Sequence, residues 1–152
     1  MAEFRPVLFK VGDDSYGVDI ALVRGIENLL PIVSVPNSAR HVKGIINLRG
    51  EIIPVFSMRS KFGLVEVEPT EETKLIIVQN ERFQIALEVV MVEEIHAIEA
   101  EKIHKAPVII KNKDTRYVQE IVSCQGGLAI IIDVENILTD EEKDEISKMI
   151  SQ

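Results

Sequence analysis

Arg49 and Gly50 sit between two apolar runs, Ile45-Ile46-Asn47-Leu48 and Glu51-Ile52-Ile53-Pro54-Val55. An arginine carries five N–H donors in a fixed fork, so its type suits directional pairing with a carboxylate or a neighbouring surface. Gly50 can supply the positive φ of a tight turn, and the pattern predicts a hairpin with the arginine at its tip. Two roles follow for Arg49: bracing the turn through a local carboxylate, or meeting a partner. The hairpin alone leans toward the brace. The other chemistry-bearing residues form no set. His41, His96 and His104 have no metal-ligand spacing with cysteine or with one another. His96, Glu99 and His104 are near in sequence, but scattered surface polar residues are the simpler reading. Cys124 lies beside Gly126 with no nucleophile context and reads as a small, partly buried residue. Glu88, Glu93 and Glu94 have the type for acid–base work, yet nothing places one in a shielded cleft. Gly126-Gly127 is a turn rather than a phosphate cradle. The chain reads as non-enzymatic, with no cofactor and no metal.

The elements that must position these residues are mainly strands. Val7, Phe9 and Val11 alternate with Leu8 and Lys10 as a strand does, then Gly12 to Ser15 turns into a second strand, Tyr16–Ile20. Ile20, Val23 and Ile26 recur at threes, a helical turn or a bent segment. Pro31 and Pro36 bracket a short strand over 32–35, and residues 37–40 have the types that cap and begin a helical turn. Pro54 lacks an N–H and predicts an edge or bulge for its strand. Ser57 is a candidate N-cap for a short helix that Gly63 ends. Glu66, Glu68, Glu71 and Glu72 mark a boundary loop over 65–72, for which exposure is a sufficient explanation. Leu75–Val78 is apolar on both faces, as a doubly covered strand is. Residues 83–89 alternate like a half-buried strand. Residues 99–104 suggest a helical turn. Tyr117–Cys124 and Leu128–Val134 flank the Gln125-Gly126-Gly127 turn as a second hairpin. Thr139 to Glu142 is a capping box, and Ile146, Met149 and Ile150 give the last helix an apolar stripe.

Residues 42–57 and 118–133 share one plan, strand, glycine turn, strand, and Val23 with Ile26 echoes Val92 with Ile95. Regularly spaced short strands in two similar halves predict two small barrels, which remove exposed sheet edges. The expected division is a single domain over 1–152. Subdomain one runs from about 12 to 64 and subdomain two from about 73 to 134. Residues 1–11 cross between them, and 139–152 form a C-terminal helix. The 152 residues carry a net charge of −8 and no tryptophan. That balance counts against nucleic-acid phosphate and anionic membrane surfaces. One cysteine fits a reducing compartment, and no apolar run approaches spanning length.

Gly44-Ile45-Ile46-Asn47-Leu48-Arg49-Gly50, followed by Ile53-Pro54-Val55, Arg59 and Phe62-Gly63-Leu64, resembles the signature of CheW-type chemotaxis coupling proteins. The resemblance extends through Phe9, residues 16–20, Val23, Ile26 and Pro36, and more loosely through Leu75–Val78, Val92, Ile95 and Leu128–Leu138. It implies a mainly all-β fold of two five-stranded SH3-like barrels with an apolar groove between them. It implies a scaffold that joins chemoreceptors to the CheA histidine kinase. The receptor's cytoplasmic tip would lie in the groove, and the kinase's regulatory domain would dock on barrel ends. The expected location is the cytoplasm, at receptor arrays beneath the inner membrane. The resemblance reverses the balance at Arg49 and makes Val23, Ile46, Asn47, Leu48, Arg49, Gly50, Val92 and Ile95 the expected contact residues. Core packing is an equal reading for Val23, Val92 and Ile95. Gly25, Ser57 and Val90 stand where the family commonly has acids, which bears on partner preference. The alternatives are an accessory adaptor of a non-motility pathway and a small-ligand-binding β-barrel.

Overall fold

The computed structural model describes residues 4–38, 41–95, 97–107, 115–124 and 127–150, without the side chains of 94, 145 and 147–150. The readings made for His96, for the Gln125-Gly126 turn, for residues 39–40 and for the Met149 and Ile150 side chains lie outside these residues. Among the described residues, eleven strands form two sheets. Sheet one has the order β8 (Met91–Ile95), β1 (Pro6–Val11), β2 (Asp14–Asp19), β11 (Gly127–Ile132), β10 (Val118–Cys124), β9 (Ile103–Lys105). Sheet two has the order β3 (Val23–Asn28), β6 (Lys74–Gln79), β7 (Gln84–Val89), β5 (Glu51–Ser57), β4 (Val42–Leu48).

The acidic loop does not divide the sheets. β6 and β7 follow it in sequence but join β3, β4 and β5, whereas β2 joins the strands of the second half. The cause is a pair of parallel contacts, β5 with β7 and β11 with β2, each of which recruits a hairpin from the other half. The halves expected at 12–64 and 73–134 therefore exchange a strand pair. Sheet one also carries a sixth, three-residue strand, β9, on its edge.

Strand alternation distributes the apolar residues among three cores. Along β6, Leu75 and Ile77 face a core inside sheet two with Ile46, Ile53, Val55 and Ala86. Ile76 and Val78 face the opposite way, into the core between the sheets with Val7, Phe9, Phe56 and Ile85. That strand is covered on both faces, as its continuous apolar run predicts. Inside sheet one, Leu8, Val122, Ala129, Ile131 and Ile98 form the third core. Each fully buried aliphatic or phenyl side chain contributes about 1.5–3 kcal/mol. The inter-sheet core is the largest of the three and holds the two sheets as one body.

Two further contacts join the sheets. Phe62 stacks on Tyr16 at 4.6 Å and approaches Tyr117 at 5.4 Å. Burial, with Asp14 and Tyr117 adding to it, pushes the Tyr16 phenol up to about 12, so the stack stays neutral at any ordinary pH. At the C-terminal end, α2 (Val134–Ile137) and α3 (Asp140–Ile150) bury Val134, Ile137 and Ile146 in the inter-sheet core. Thr139 and Glu142 exchange the two hydrogen bonds of a capping box, at 2.8 and 3.1 Å. Glu135 accepts from Asn80 and Arg82 of the β6–β7 turn and from Lys143 of α3. The Lys143 hydrogen bond, with Lys143 and Arg82 charge beside it, holds the Glu135 carboxyl below its usual range.

Four local expectations change. The spacing of three at Val23 and Ile26 belongs to a bulged strand rather than to a helix. A single 3₁₀ turn, Ile20–Leu22, precedes β3. In β3 the pairs Val23–Val78, Gly25–Ile77 and Ile26–Ile76 leave Arg24 as an extra residue. The insertion restores Val23 and Ile26 to one face. β8 has the same device: Val92 and Ile95 pair with Phe9 and Val7. The strand expected at 32–35 is a single bridge, Val33 with Ile45; flanking prolines cannot extend the ladder. Pro54 is buried in an interior strand, not an edge. It lies just before the β7 pairing begins at Val55, so no ladder donor is missed. The helical turn expected at 99–104 is a 3₁₀ turn, Ala100–Lys102, that passes directly into β9.

Candidate docking site

The β4–β5 hairpin closes with a two-residue loop, since Leu48 pairs with Glu51. Arg49 has φ +51° and Gly50 φ +91°, so both central residues are left-handed, as a type I′ turn requires. Gly50 adopts this without cost and has open space around it. Arg49 does not: a side-chain-bearing residue in this region costs about 1–2 kcal/mol, and asparagine or glycine is the usual choice. Asn47 braces the turn by accepting the Gly50 N–H on its Oδ1 at 2.8 Å. Arg49 donates from Nη2 to Glu27 Oε1 at 2.8 Å, yet its side chain remains 75% exposed. An ion pair that exposed contributes little to stability. Local pairing therefore does not account for an arginine in a strained position, which is the pattern of a functional constraint.

A second ion pair stands beside the first. Arg24, aimed by the β3 bulge, forks onto Glu51 through Nη1 at 2.6 Å and Nη2 at 2.9 Å. It also donates to Gln84, whose Nε2 donates to Glu51 at 3.1 Å. The Arg24 hydrogen bond and then that of Gln84 lower the Glu51 carboxyl to about 2. β3 and the β4–β5 tip are not sheet neighbours, yet Arg24–Glu51 and Arg49–Glu27 tie them together. Sheet two is curled so that its edges meet, and the polar ring lies over the end of its core.

The structure separates the eight expected contact residues. Asn47, Arg49 and Gly50 are exposed at the tip, and Leu48 packs partly against the core of sheet two. Ile46 is 1% exposed inside that core and has no surface to offer. The reason is strand alternation: Asn47 points outward, so its neighbour Ile46 points inward. Val23 and Val92 are half-buried against the inter-sheet core. Ile95, on the edge strand β8, is exposed. These three are not gathered with the tip residues into one patch by any contact among the described residues. Arg24, Glu27, Glu51 and Gln84 were not singled out from the sequence. Their charges are visible there, but the meeting of β3 with the β4–β5 tip is a tertiary fact.

The space between the sheets is packed rather than open, so the expected furrow is shallow. An open depression of about 530 Å³ beside Leu22, Val23, Arg24, Gln79 and Asn80 lies at the β3–β6 end of sheet two rather than between the sheets. Of the carboxylates considered for acid–base work, Glu88 and Glu93 are engaged, and the Glu94 side chain lies outside the described residues. Glu88 pairs with Lys43 at 2.8 Å and Glu93 accepts from Ser15 at 3.0 Å. Burial, with Glu93 nearby, pushes the Cys124 thiol up, the opposite of what a nucleophile needs. Among the described residues no group of three His, Cys, Asp or Glu side chains is placed to hold a metal ion. No helix among them is long and apolar enough to cross a membrane.

Two intimately packed β-units with an exposed, charged hairpin tip define an adaptor: a protein that works by contact. The family model described as "CheW-like domain" matches residues 5–142. The chain belongs to the CheW-like family, whose members are non-enzymatic scaffolds of bacterial chemotaxis. It is 29% identical over 136 residues to the "Chemotaxis protein CheW" of Klebsiella aerogenes, covering 90% of this chain and 82% of that one. It is 27% identical over 137 residues to the protein of that name in Bacillus subtilis, covering 90% and 88%. Among solved structures it resembles the "scaffolding protein TtCheW from Thermoanaerobacter tengcongensis", with a TM-score of 0.83, 28% identity, and coverage of 93% of this chain and 96% of that one. The mainly β architecture of two SH3-like units is thus the family's own.

Proposed function

We infer that this chain couples chemoreceptors to a CheA-type histidine kinase, holding both in fixed geometry so that receptor motion reaches the kinase. Its place would be the cytoplasmic receptor array. The observation that carries the reading is Arg49: a left-handed, three-quarters exposed arginine at a braced tip, tied to Glu27 through Nη2 and with most of its side chain turned to solvent. Exposed apolar neighbours such as Ile26 and Ile52 would supply contact area, with the guanidinium as the directional anchor. The kinase's regulatory domain fits the polar tip of sheet two, and the receptor's helical tip fits the shallow apolar surface at Val23, Val92 and Ile95. Ile46 is left out of the contact set.

The test is Arg49→Asn. Asparagine suits a left-handed turn position, so the variant should be as stable as the parent or more so, by up to about 1 kcal/mol. Pull-down on receptor tip and kinase regulatory domain, paired with circular dichroism, should show weakened capture of at least one partner by an intact fold. Undiminished capture of both would remove Arg49 from the interface.

A further inference from the structure

The chain passes from sheet two to sheet one through a single residue. β7 ends at Val89, β8 begins at Met91, and Val90 alone lies between them. Val90 is fixed at once, its N–H donating to Lys10 O at 2.9 Å. A one-residue crossover has little slack, so rotation of one sheet against the other would strain it. Packing at this point is incomplete. A half-open depression of about 50 Å³ lies here, lined by Val11, Arg59, Val89 and Val90 and, along one side, by residues 66–70 and 73.

Residues 64–73 form one wall of that depression, and nearly all of the segment is exposed. Val65 is 81% exposed, Val67 and Glu66 are exposed too, and Glu66 is nonetheless tethered by its carboxylate. Glu66 accepts from Ser57 Oγ and lies 3.7 Å from the Lys43 ammonium, which pairs with Glu88 on β7 at 2.8 Å. Arg59 Nη1 holds Val65 O at 3.1 Å. On the other side, Leu64 reaches sheet one: its Cδ1 lies 3.0 Å from where a Cβ on Gly12 would stand. At the far end, Thr70 and Thr73 exchange hydrogen bonds at 2.9 and 3.2 Å. The segment is held by polar tethers to sheet two and one apolar contact to sheet one, with almost no burial of its own.

We propose that residues 64–73 act as a strap across the Val90 crossover, with the Glu66–Lys43–Glu88 cluster as its release point, so that unfastening it loosens the sheets at that end. A segment tethered by exposed polar contacts opens more cheaply than a packed one, which suits a controllable restraint. The strap is independent of the docking surface at Arg49, and it fails or stands separately from it.

The experiment is hydrogen exchange by mass spectrometry on the full chain, comparing the parent with Glu66→Gln and with Leu64→Ser. The first variant weakens the charged tether on sheet two; the second cuts the contact to sheet one without touching charge. Both should raise exchange about tenfold in 64–73 and also at Val90, in β8 and at the end of β1, with β10–β11 unchanged. Faster exchange confined to 64–73 would make the segment an ordinary loop and overturn the proposal. A uniform rise across both sheets in both variants would also overturn it, because the effect would then be global destabilisation.

Discussion

The β4–β5 and β10–β11 hairpins occupy equivalent places in their sheets, and their shared features differ in kind from their distinct ones. Each lies beside a parallel partner strand, β7 or β2. Each ends in a residue that caps a short helix: Ser57 for α1 (Met58–Lys61) and Asp133 for α2. Each cap residue also donates its backbone N–H to the segment before the hairpin, Ser57 to His41 O at 2.8 Å and Asp133 to Tyr117 O at 2.7 Å. The edge strands match as well, since β3 and β8 carry a bulge at the same step. There the likeness stops. The bulge aims Arg24 at Gln84 and Glu51 in sheet two, and Glu93 at Ser15 in sheet one. One end is built on a guanidinium, the other on a carboxylate, and in register Glu51 and Ile52 correspond to Gly127 and an exposed Leu128. Inward positions, caps and bulges are held in common because they make the fold. The ends, which the fold does not need to be alike, are where the two units differ.

The comparison breaks most severely at Gly44. A Cβ there would stand 2.1 Å from Val33 O, a backbone atom held in place by the Val33–Ile45 bridge with both bonds at 2.9 Å. β10 covers its outer edge with β9 instead and bears Glu120 where it pairs with Lys105. Gly44→Ala should cost at least about 3 kcal/mol, read as a fall in the urea midpoint. Gly17→Ala in sheet one is the matched control. Its Cβ would press on the tips of Ile131 and Leu8, at 2.8 and 2.9 Å, with Pro6 Cβ at an ordinary 3.4 Å, and should cost about 1–2 kcal/mol. Equal costs would show that the Val33 segment yields easily and does not seal the edge of sheet two.

Next in size is the division between inward and outward residues on β4. Ile46 and Val122 face the cores of sheet two and sheet one respectively. Ile46→Ala should destabilise by about 2–4 kcal/mol while leaving partner capture per folded molecule unchanged. Val122→Ala should behave the same way with a smaller loss. Reduced capture by a fully stable Ile46→Ala protein would return Ile46 to the interface.

Much of this arrangement is legible in the chain itself. The glycine turn after Leu48, the doubly apolar run Leu75–Val78, the Ser57 cap and the Thr139–Glu142 box are local signals, and local physics decides them. The repeated plan of 42–57 and 118–133 is legible too, and the paired registers bear it out. What was not legible depends on contacts distant in sequence. Val23 and Ile26 imitate a helical period because a bulge adds one residue to a strand, and a bulge is visible only against a partner. The strand exchange between halves arises from two parallel pairings that leave no mark on hydropathy. Ile46 appears in a contact motif, but its direction follows from a register set by the turn. The Arg24–Glu51 fork joins residues that become neighbours only when sheet two curls.

The smallest effect tests the polarity of the two ends. Glu51 is held at about 2, against an ordinary 4.5, first by the Arg24 hydrogen bond and then by Gln84. A depressed carboxyl contributes stability that is present above 4.5 and lost as pH falls through about 2. Arg24→Gln should return the Glu51 titration toward its ordinary value, read by carbon-detected NMR, and flatten the dependence of the urea midpoint on pH across that window. At the other end the sign reverses. Gly127→Glu would set a carboxylate where Glu51 stands, but with Glu93 in the place of Arg24, so the new group should titrate above the ordinary carboxylate value because like charges disfavour ionisation. If it titrated as low as Glu51, the ends would not be opposite in character, and the contrast drawn between the two hairpins would fail with it.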